Sequence, residues 1–246
     1  MCETCIFDLY GTLIDIHTEE EKEEIWESLS LFLGYQGAVY TSKELHDLYC
    51  KIVKELQMPG KSLRQDSHEA FPEIQIEEVF ARCYQEKGIV PGSDLVIHTA
   101  QFFRAMSTEY IRLYEGTKEM LQSLRKEGKK LYLLSNAQKI FVEPEMKALG
   151  IYDCFDGILI SSEAGIKKPE AGFFQMLLDR YSISKDTAVM IGNDGICDIA
   201  GAKKAGFDTV YIHSNLSPEE DDPKADMTLK MVDMKALENY LLDRKV

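Results

Sequence analysis

The chain has 246 residues, of which 45% are hydrophobic and 28% are charged, the composition of an ordinary globular protein. Its formal net charge of −14 disfavours nucleic acid and anionic membrane surfaces as partners, because both would repel an acidic protein. No apolar run reaches the roughly 18 residues of a transmembrane helix, and no signal peptide is visible. We therefore expect a cytoplasmic protein whose 6 cysteines are reduced thiols.

The first predicted element is a short apolar strand over Thr4–Leu9. It delivers one carboxylate, Asp8, to a turn built around Gly11 and Thr12. A carboxylate at a strand end is held rigidly, and the turn amides leave room for a substrate oxyanion. The segment therefore indicates that Asp8 is a nucleophile.

The stretch that follows, residues 16–114, shows helical spacing of apolar residues and no convincing strand. The sequence Thr41-Ser42-Lys43-Glu44 has the form of a capping box, which marks a helix start. We expect an all-helical cap domain here, with a core domain made of residues 1–15 and 115–246; a basic stretch, Pro59–Arg64, is predicted to be a surface loop. The predicted helices cover Glu19–Leu33, Ser42–Leu56, Ile76–Lys87 and Ser93–Leu113.

Strands and helices alternate through the rest of the chain. Such alternation predicts parallel pairing with right-handed crossovers, and hence a doubly wound, Rossmann-like α/β core. The predicted strands are Lys130–Ser135, Gly157–Ser161, Ala188–Gly192, Thr209–His213 and Met227–Leu229, and the predicted helices are Thr117–Glu127, Ile140–Leu149, Glu170–Arg180 and Asp198–Ala205. The acidic run Pro218–Pro223 is predicted to be a solvated loop.

Four short motifs lie at the ends of predicted strands. Each has a structural explanation on its own, since Ser135 suits a helix cap, Lys168 a solvated cation and Asp198 a helix start. Because the carboxyl ends of parallel strands meet at one edge of a sheet, we expect the four motifs to line one crevice. They are Asp8-Leu9-Tyr10-Gly11-Thr12, Leu133-Leu134-Ser135-Asn136-Ala137, Gly165-Ile166-Lys167-Lys168-Pro169 and Met190–Asp198, which runs on into Ile199-Ala200-Gly201-Ala202.

With these motifs in this order, the whole chain resembles the haloacid dehalogenase superfamily, and the helical insert corresponds to the inserted cap of that family. The resemblance implies that Asp8 attacks the substrate and forms a covalent intermediate that water later opens. Thr12 would support the Asp8 loop and Lys168 would neutralise the charge. Ser135 with the amide of Asn136 would bind substrate oxygens, and Tyr10 and Gly11 would also belong to the substrate-binding set.

In the phosphatase branch of the family, Mg²⁺ supplies much of the charge shielding. The ligands that the resemblance implies are Asp8, the main-chain carbonyl of Tyr10 and Asn193, with Asp194 and Asp198 acting directly or through water. Mg²⁺ commonly keeps several waters and only one or two carboxylates, so an amide oxygen is a tolerable but weaker ligand.

Two positions depart from the phosphatase pattern. Tyr10 stands where such phosphatases usually carry an aspartate that protonates the leaving alcohol and then activates water. A phenol with a pKa of about 10 is a poor base at neutral pH, and general acid–base help contributes roughly 10²–10⁴-fold. Asn193 replaces another usual aspartate.

Three functions stay open. The leading hypothesis is a Mg²⁺-dependent phosphatase of a small, anionic, phosphorylated metabolite, favoured by Asp194, Asp198 and Lys168. The second is a metal-independent 2-haloacid dehalogenase, whose branch carries a tyrosine at the Tyr10 position but uses a cap arginine soon after the first motif, whereas the first arginine here is Arg64. The third is a catalytically weakened binding protein with the same fold. The oligomeric state has no sequence signal.

Overall fold

The computed structural model describes residues 3–57, 72–219 and 221–243. The chain divides into two compact units. Met1–Ile16 and Ile111–Val246 form the first, here called the core unit, and His17–Tyr110 form the second, the helical unit. The predicted loop Pro59–Arg64 lies outside the described residues.

Eight strands and ten α-helices make up the described parts of the chain. In chain order the strands are β1 Thr4–Phe7, β2 Ile14–Thr18, β3 Thr108–Leu113, β4 Lys130–Ser135, β5 Gly157–Ile160, β6 Ala188–Gly192, β7 Asp208–Ile212 and β8 Met227–Leu229. The helices are α1 Glu23–Tyr35, α2 Ser42–Gln57, α3 Ile76–Gln85, α4 Ser93–Ser107, α5 Thr117–Lys126, α6 Lys139–Ala148, α7 Ser161–Ala164, α8 Ala171–Tyr181, α9 Gly201–Ala205 and α10 Met234–Asp243. A π-helix over Gly195–Ala200 precedes α9. None of the described helices has the length and apolar character needed to cross a bilayer.

The core unit is built on a six-stranded sheet in the order β5-β4-β1-β6-β7-β8, and every neighbouring pair is parallel. Residues alternate between the two faces of the sheet, as the period of a strand requires. Phe7 belongs to a hydrophobic cluster with residues of α5, α6 and α10, whereas Ile6 packs with residues of α8. The predicted doubly wound α/β fold is confirmed.

The register of the central strands fixes where the motifs meet. Phe7 pairs with Leu133 of β4 on one side and with Ile191 of β6 on the other. The residues just after these positions, among them Asp8 and Ser135, therefore emerge side by side at the carboxyl edge of the sheet.

Four helices, α1 to α4, form the helical unit. Its centre is a set of aromatic rings 5.2 to 5.7 Å apart, contributed by Trp26, Tyr49, Phe80 and Phe103. The predicted capping box is confirmed at the start of α2. The Thr41 amide donates to Glu44 Oε2 at 2.8 Å, and the Glu44 amide donates to Thr41 Oγ1 at 3.2 Å.

The prediction of no strand between residues 16 and 114, with a helix running through Leu113, is wrong at both ends of this stretch. β2 and β3 pair as a separate two-stranded sheet, and the boundaries between the units fall within them. α4 ends at Ser107, where the hydroxyl of Thr108 donates to the carbonyl of Arg104 at 2.7 Å. The residues that follow include Thr108, Tyr110 and Ile111, and such β-branched and aromatic side chains favour a strand.

Candidate active site

Asp8 lies directly after β1 and is only 7% exposed. Its Oδ1 accepts hydrogen bonds from Lys168 Nζ at 2.7 Å and from Ser135 Oγ at 3.1 Å. Its Oδ2 has a weaker contact with Thr12 Oγ1, at 3.3 Å. One carboxylate oxygen is thus held and neutralised, while the other is left available for a reaction.

Lys168 joins two acidic residues inside the core unit. The residue is 1% exposed, and its Nζ donates to Asp8 Oδ1 at 2.7 Å and to Asp198 Oδ1 at 2.6 Å. Burial alone would lower the pKa of Lys168, but the attraction of Asp198 and Asp8 outweighs it and the pKa is raised. Lys168 is therefore a fixed positive charge beside Asp8.

Asp198 lies in the π-helix and is 1% exposed. Its Oδ2 accepts a hydrogen bond from the Asp194 amide at 3.0 Å, so both of its oxygens have donors. Burial raises its pKa to about 7, and the negative charges of Asp8 and Asp194 act in the same direction against the pull of Lys168. A β-carbon at Gly192 would lie 2.2 Å from Asp198 Cγ, so this position has room only for glycine.

Asp194 shapes the loop that carries Asp198. Its Oδ1 accepts hydrogen bonds from the amides of Ile196 at 2.8 Å and Cys197 at 2.7 Å, which makes it the N-cap of the π-helix. Asp221 supports the same loop, since its Oδ2 accepts a hydrogen bond from the Gly195 amide at 2.6 Å. The acidic run Pro218–Pro223, predicted to be a solvated loop, therefore contributes one side chain to this loop.

Asn136 connects the second and third motifs. Its Nδ2 donates to the Lys168 carbonyl at 2.9 Å, and its Oδ1 accepts from the Lys168 amide at 2.8 Å. This reciprocal pair fixes the backbone of Lys168, so the side chain of Asn136 positions the lysine.

Tyr10 turns its hydroxyl towards α6. The phenol donates to Glu145 Oε2 at 2.5 Å, and the ring packs against the hydrophobic cluster on that face of the sheet. The sequence did not predict that Glu145 would contact Tyr10. The two residues are 135 positions apart, and no pattern in the sequence indicates which side chain a tyrosine in a loop will contact.

Gly11, in the loop that follows Asp8, lies against Asn193. Gly11 has a φ of +83°, and a β-carbon there would lie 2.3 Å from Asn193 Nδ2. Both the left-handed backbone and the close approach require glycine. Asn193 Oδ1 is in turn 3.2 Å from Thr12 Oγ1.

The structure thus brings Asp8, Thr12, Ser135, Lys168, Asn193 and Asp198 into one hydrogen-bonded network. Gly11 packs against Asn193 of that network, and the amide of Asp194 donates to Asp198 within it. The side chain of Tyr10 contacts Glu145 instead, and the side chain of Asn136 contacts the backbone of Lys168.

The donor set suits a hard divalent cation in its chemistry. Thr12 Oγ1 lies 3.3 Å from Asp8 Oδ2 and 3.2 Å from Asn193 Oδ1, so the Asp8 and Asn193 oxygens lie close to the same hydroxyl group. Asp8, Asp194 and Asp198 outnumber Lys168, which leaves surplus negative charge. Within the described residues, no three Asp, Glu, His or Cys side chains are arranged as a metal-binding group. A cation here would therefore rely on amide, carbonyl and water oxygens as well, as Mg²⁺ commonly does.

Comparison with known proteins identifies the family of this chain. The family model of haloacid dehalogenase-like hydrolases matches residues 2–206. A phosphoserine phosphatase from Thermus thermophilus is 31% identical over 65% of this chain and 62% of its own length. A glyceraldehyde 3-phosphate phosphatase from Methanothermobacter thermautotrophicus is 32% identical over 46% of this chain and 50% of its own length. The match thus spans less than two thirds of either relative.

A solved structure extends the comparison to the whole fold. The 2-haloacid dehalogenase from Pseudomonas syringae superposes with a TM-score of 0.63 at 20% identity, covering 98% of both chains. Relatives named as phosphatases and a structure named as a dehalogenase thus share this architecture, and the family match covers most of the chain. The chain belongs to the haloacid dehalogenase-like hydrolases.

Proposed function

We propose that this protein is a Mg²⁺-dependent phosphatase that hydrolyses a small phosphorylated metabolite through an aspartyl phosphate on Asp8, with residues 16–114 as its cap. The observation that carries the proposal is the asymmetric environment of Asp8. Lys168 and Ser135 hold Oδ1, whereas among the described residues Oδ2 is bonded only by the long contact with Thr12. The relatives named as phosphatases support the choice of a phosphoryl group.

Asp8, the carbonyl of Tyr10 and the amide oxygen of Asn193 would hold the Mg²⁺, with Asp194 and Asp198 beside them. When bound, the ion would shield negative charge between Asp8 and an incoming phosphoryl group. The surplus of carboxylates over lysine around Asp8 supports this assignment.

In the first step, Oδ2 of Asp8 attacks phosphorus and the bond from phosphorus to the leaving oxygen breaks. Lys168 lies beside Asp8 and stabilises the charge that forms during the attack. In the second step, water attacks the same phosphorus, the Asp8–phosphorus bond breaks and the carboxylate is restored. Ser135 and Lys168 keep Oδ1 in place throughout.

A second candidate, metal-independent displacement of halide from carbon by Asp8, is favoured by one specific observation. Lys168 already neutralises Asp8 at 2.7 Å, and a halide needs no proton to leave. This reaction would use the same Oδ2 for attack on carbon.

The two candidates separate in one experiment. Purified protein is assayed with a broad panel of phosphate esters in Mg²⁺ and in EDTA, and with 2-chloropropionate in both buffers. The proposal expects Mg²⁺-dependent phosphate release and a beryllofluoride adduct on Asp8. Asp8→Asn should abolish both, while Asp179→Asn, an exposed aspartate on α8, should change neither. Halide release in EDTA without phosphate release would favour the second candidate, and the absence of any turnover would refute both.

A further inference from the structure

The hydrogen bond between Tyr10 and Glu145 determines whether the Tyr10 hydroxyl can donate a proton to a substrate at Asp8. Tyr10 follows Asp8 by two positions, so its hydroxyl is the nearest acidic proton along the chain. That hydroxyl donates to Glu145 Oε2 at 2.5 Å, and Glu145 belongs to α6 within the same core unit. A hydrogen bond from a phenol to a carboxylate is charge-assisted, and such bonds are among the stronger hydrogen bonds in proteins. The phenol proton is therefore committed to a carboxylate rather than offered to a substrate.

The other hydrogen-bond donors that the structure shows around Asp8 also have acceptors within the protein. Lys168 Nζ donates to Asp8 Oδ1 at 2.7 Å and to Asp198 Oδ1 at 2.6 Å, so its protons are directed at these two carboxylates. The hydroxyl of Ser135 donates to Asp8, and that of Thr12 has Asp8 and Asn193 as its acceptors. Among the described residues of the core unit bonded to Asp8, none presents a free acid to a leaving group.

This arrangement has a chemical consequence for the substrate. An alkoxide is a strongly basic leaving group, and its departure gains about 10²–10⁴-fold from a positioned acid. A carboxylate leaves as a stable anion and needs no proton. Building on the proposed phosphatase function, we propose that this core, in which the Tyr10 hydroxyl is bonded to Glu145 and does not protonate a leaving group, is selective for acyl phosphates over alkyl phosphate esters.

The reaction balances without an added acid. Asp8 Oδ2 bonds to phosphorus, the bond from phosphorus to the acyl oxygen breaks, and its electron pair leaves with the carboxylate product. Water then attacks phosphorus, and the Asp8–phosphorus bond breaks. Both protons of the water stay on the product, dihydrogen phosphate, and Asp8 is ionised again.

The test is a leaving-group series assayed with Mg²⁺. The substrates are acetyl phosphate, p-nitrophenyl phosphate, phenyl phosphate and glycerol 1-phosphate, in order of increasing basicity of the group that leaves. We expect kcat/KM of the wild type to fall by about 10²-fold or more from the first to the last, the help that a missing acid would have given. The fall should parallel that of the uncatalysed reactions.

Two substitutions of Tyr10 make the test specific. Tyr10→Asp supplies a carboxyl group, and we expect it to raise glycerol 1-phosphate turnover relative to acetyl phosphate at least tenfold. Tyr10→Phe removes a proton that is not used, so the ratio between those substrates should stay within about threefold. Glu145→Gln keeps an acceptor for the phenol and should also leave the ratio in place.

Two results would overturn the inference. The first is a wild type that hydrolyses glycerol 1-phosphate within tenfold of acetyl phosphate. The second is a selective loss of glycerol 1-phosphate turnover in Tyr10→Phe or Glu145→Gln, which would show that the pair relays a proton. If the wild type hydrolyses none of the four substrates, the proposed phosphatase function itself fails.

Discussion

Replacing Lys168 with methionine removes the ammonium that lies between Asp8 and Asp198 while nearly preserving the volume of the side chain. Two charge-assisted hydrogen bonds, of 2.7 and 2.6 Å, are lost from a site where the three residues are 1 to 7% exposed. Breaking a buried ion pair by removing one partner costs about 3–5 kcal/mol, because the remaining charge has no compensation. We expect Lys168→Met to lower the free energy of unfolding by that amount at pH 8.

The sign of the pH dependence follows from linkage. Burial raises the pKa of Asp198 in the folded state, and removing Lys168 removes the attraction that opposes this rise. A carboxyl with a raised folded pKa makes the folded protein bind more protons than the unfolded chain, so stability increases as pH falls. The deficit of Lys168→Met should therefore be smaller at pH 5 than at pH 8.

Urea unfolding followed by far-UV circular dichroism and by fluorescence measures this deficit. The single tryptophan, Trp26, is buried in the helical unit, so its fluorescence reports that unit, whereas circular dichroism reports both. Lys185→Met, an exposed lysine of the core unit, is the matched control and should cost less than about 0.5 kcal/mol. A deficit below 1 kcal/mol at pH 8, or one of equal size at both pH values, would refute the reasoning.

Two further substitutions test the site and the sheet. Gly192→Ala would place a β-carbon 2.2 Å from Asp198 Cγ, so we expect it to displace Asp198, lower the free energy of unfolding by about 1–3 kcal/mol and lower phosphatase activity. The control is Gly34→Ala, whose added β-carbon would meet no neighbouring atom within 4 Å and which should be neutral or stabilising. Thermal melts measure the stability of both variants, and turnover assays measure their activity. Asp156 accepts a hydrogen bond from the Leu131 amide at 2.9 Å. Although burial opposes it, this bond and Lys130 lower the pKa of Asp156, so its contribution is present above the unfolded pKa and is lost as pH falls. Asp156→Asn should therefore cost about 1 kcal/mol in urea unfolding at pH 7 and little at pH 3, and an equal cost at both would contradict this assignment.

The sequence predicted the core unit well because the informative signals are local there. β4, β6 and β8 have the predicted bounds, since each is a short apolar run closed by turn residues. The parallel register then aligns the strand ends, which is why motifs from distant parts of the chain could be assigned to one site. The convergence of Asp8, Ser135 and Lys168 follows from topology rather than from any contact visible in the sequence.

What the sequence could not predict depends on long-range packing. The pairs Tyr10–Glu145 and Gly195–Asp221 join residues 135 and 26 positions apart, and neither partner carries a motif that indicates the other. The π-helix was predicted as part of a helix beginning at Asp198. Asp194 moves the start to Gly195 by accepting two amide hydrogen bonds, and an aspartate ahead of a helix was a signal that could have been used.

The charge of the site separates the two reactions more clearly than the fold does. Asp8 and Asp198 both pair with one buried lysine, and the amide of Asp194 donates to Asp198, so three acidic residues lie around a single cation. A phosphoryl group adds further negative charge as it approaches, so its transfer to Asp8 would require a second cation. Attack on a carbon–halogen bond brings no such charge to the reacting atom, so Lys168 would suffice to neutralise Asp8. Because the two reactions use the same nucleophile and the same lysine, the dependence of turnover on Mg²⁺ distinguishes them where the shared fold does not.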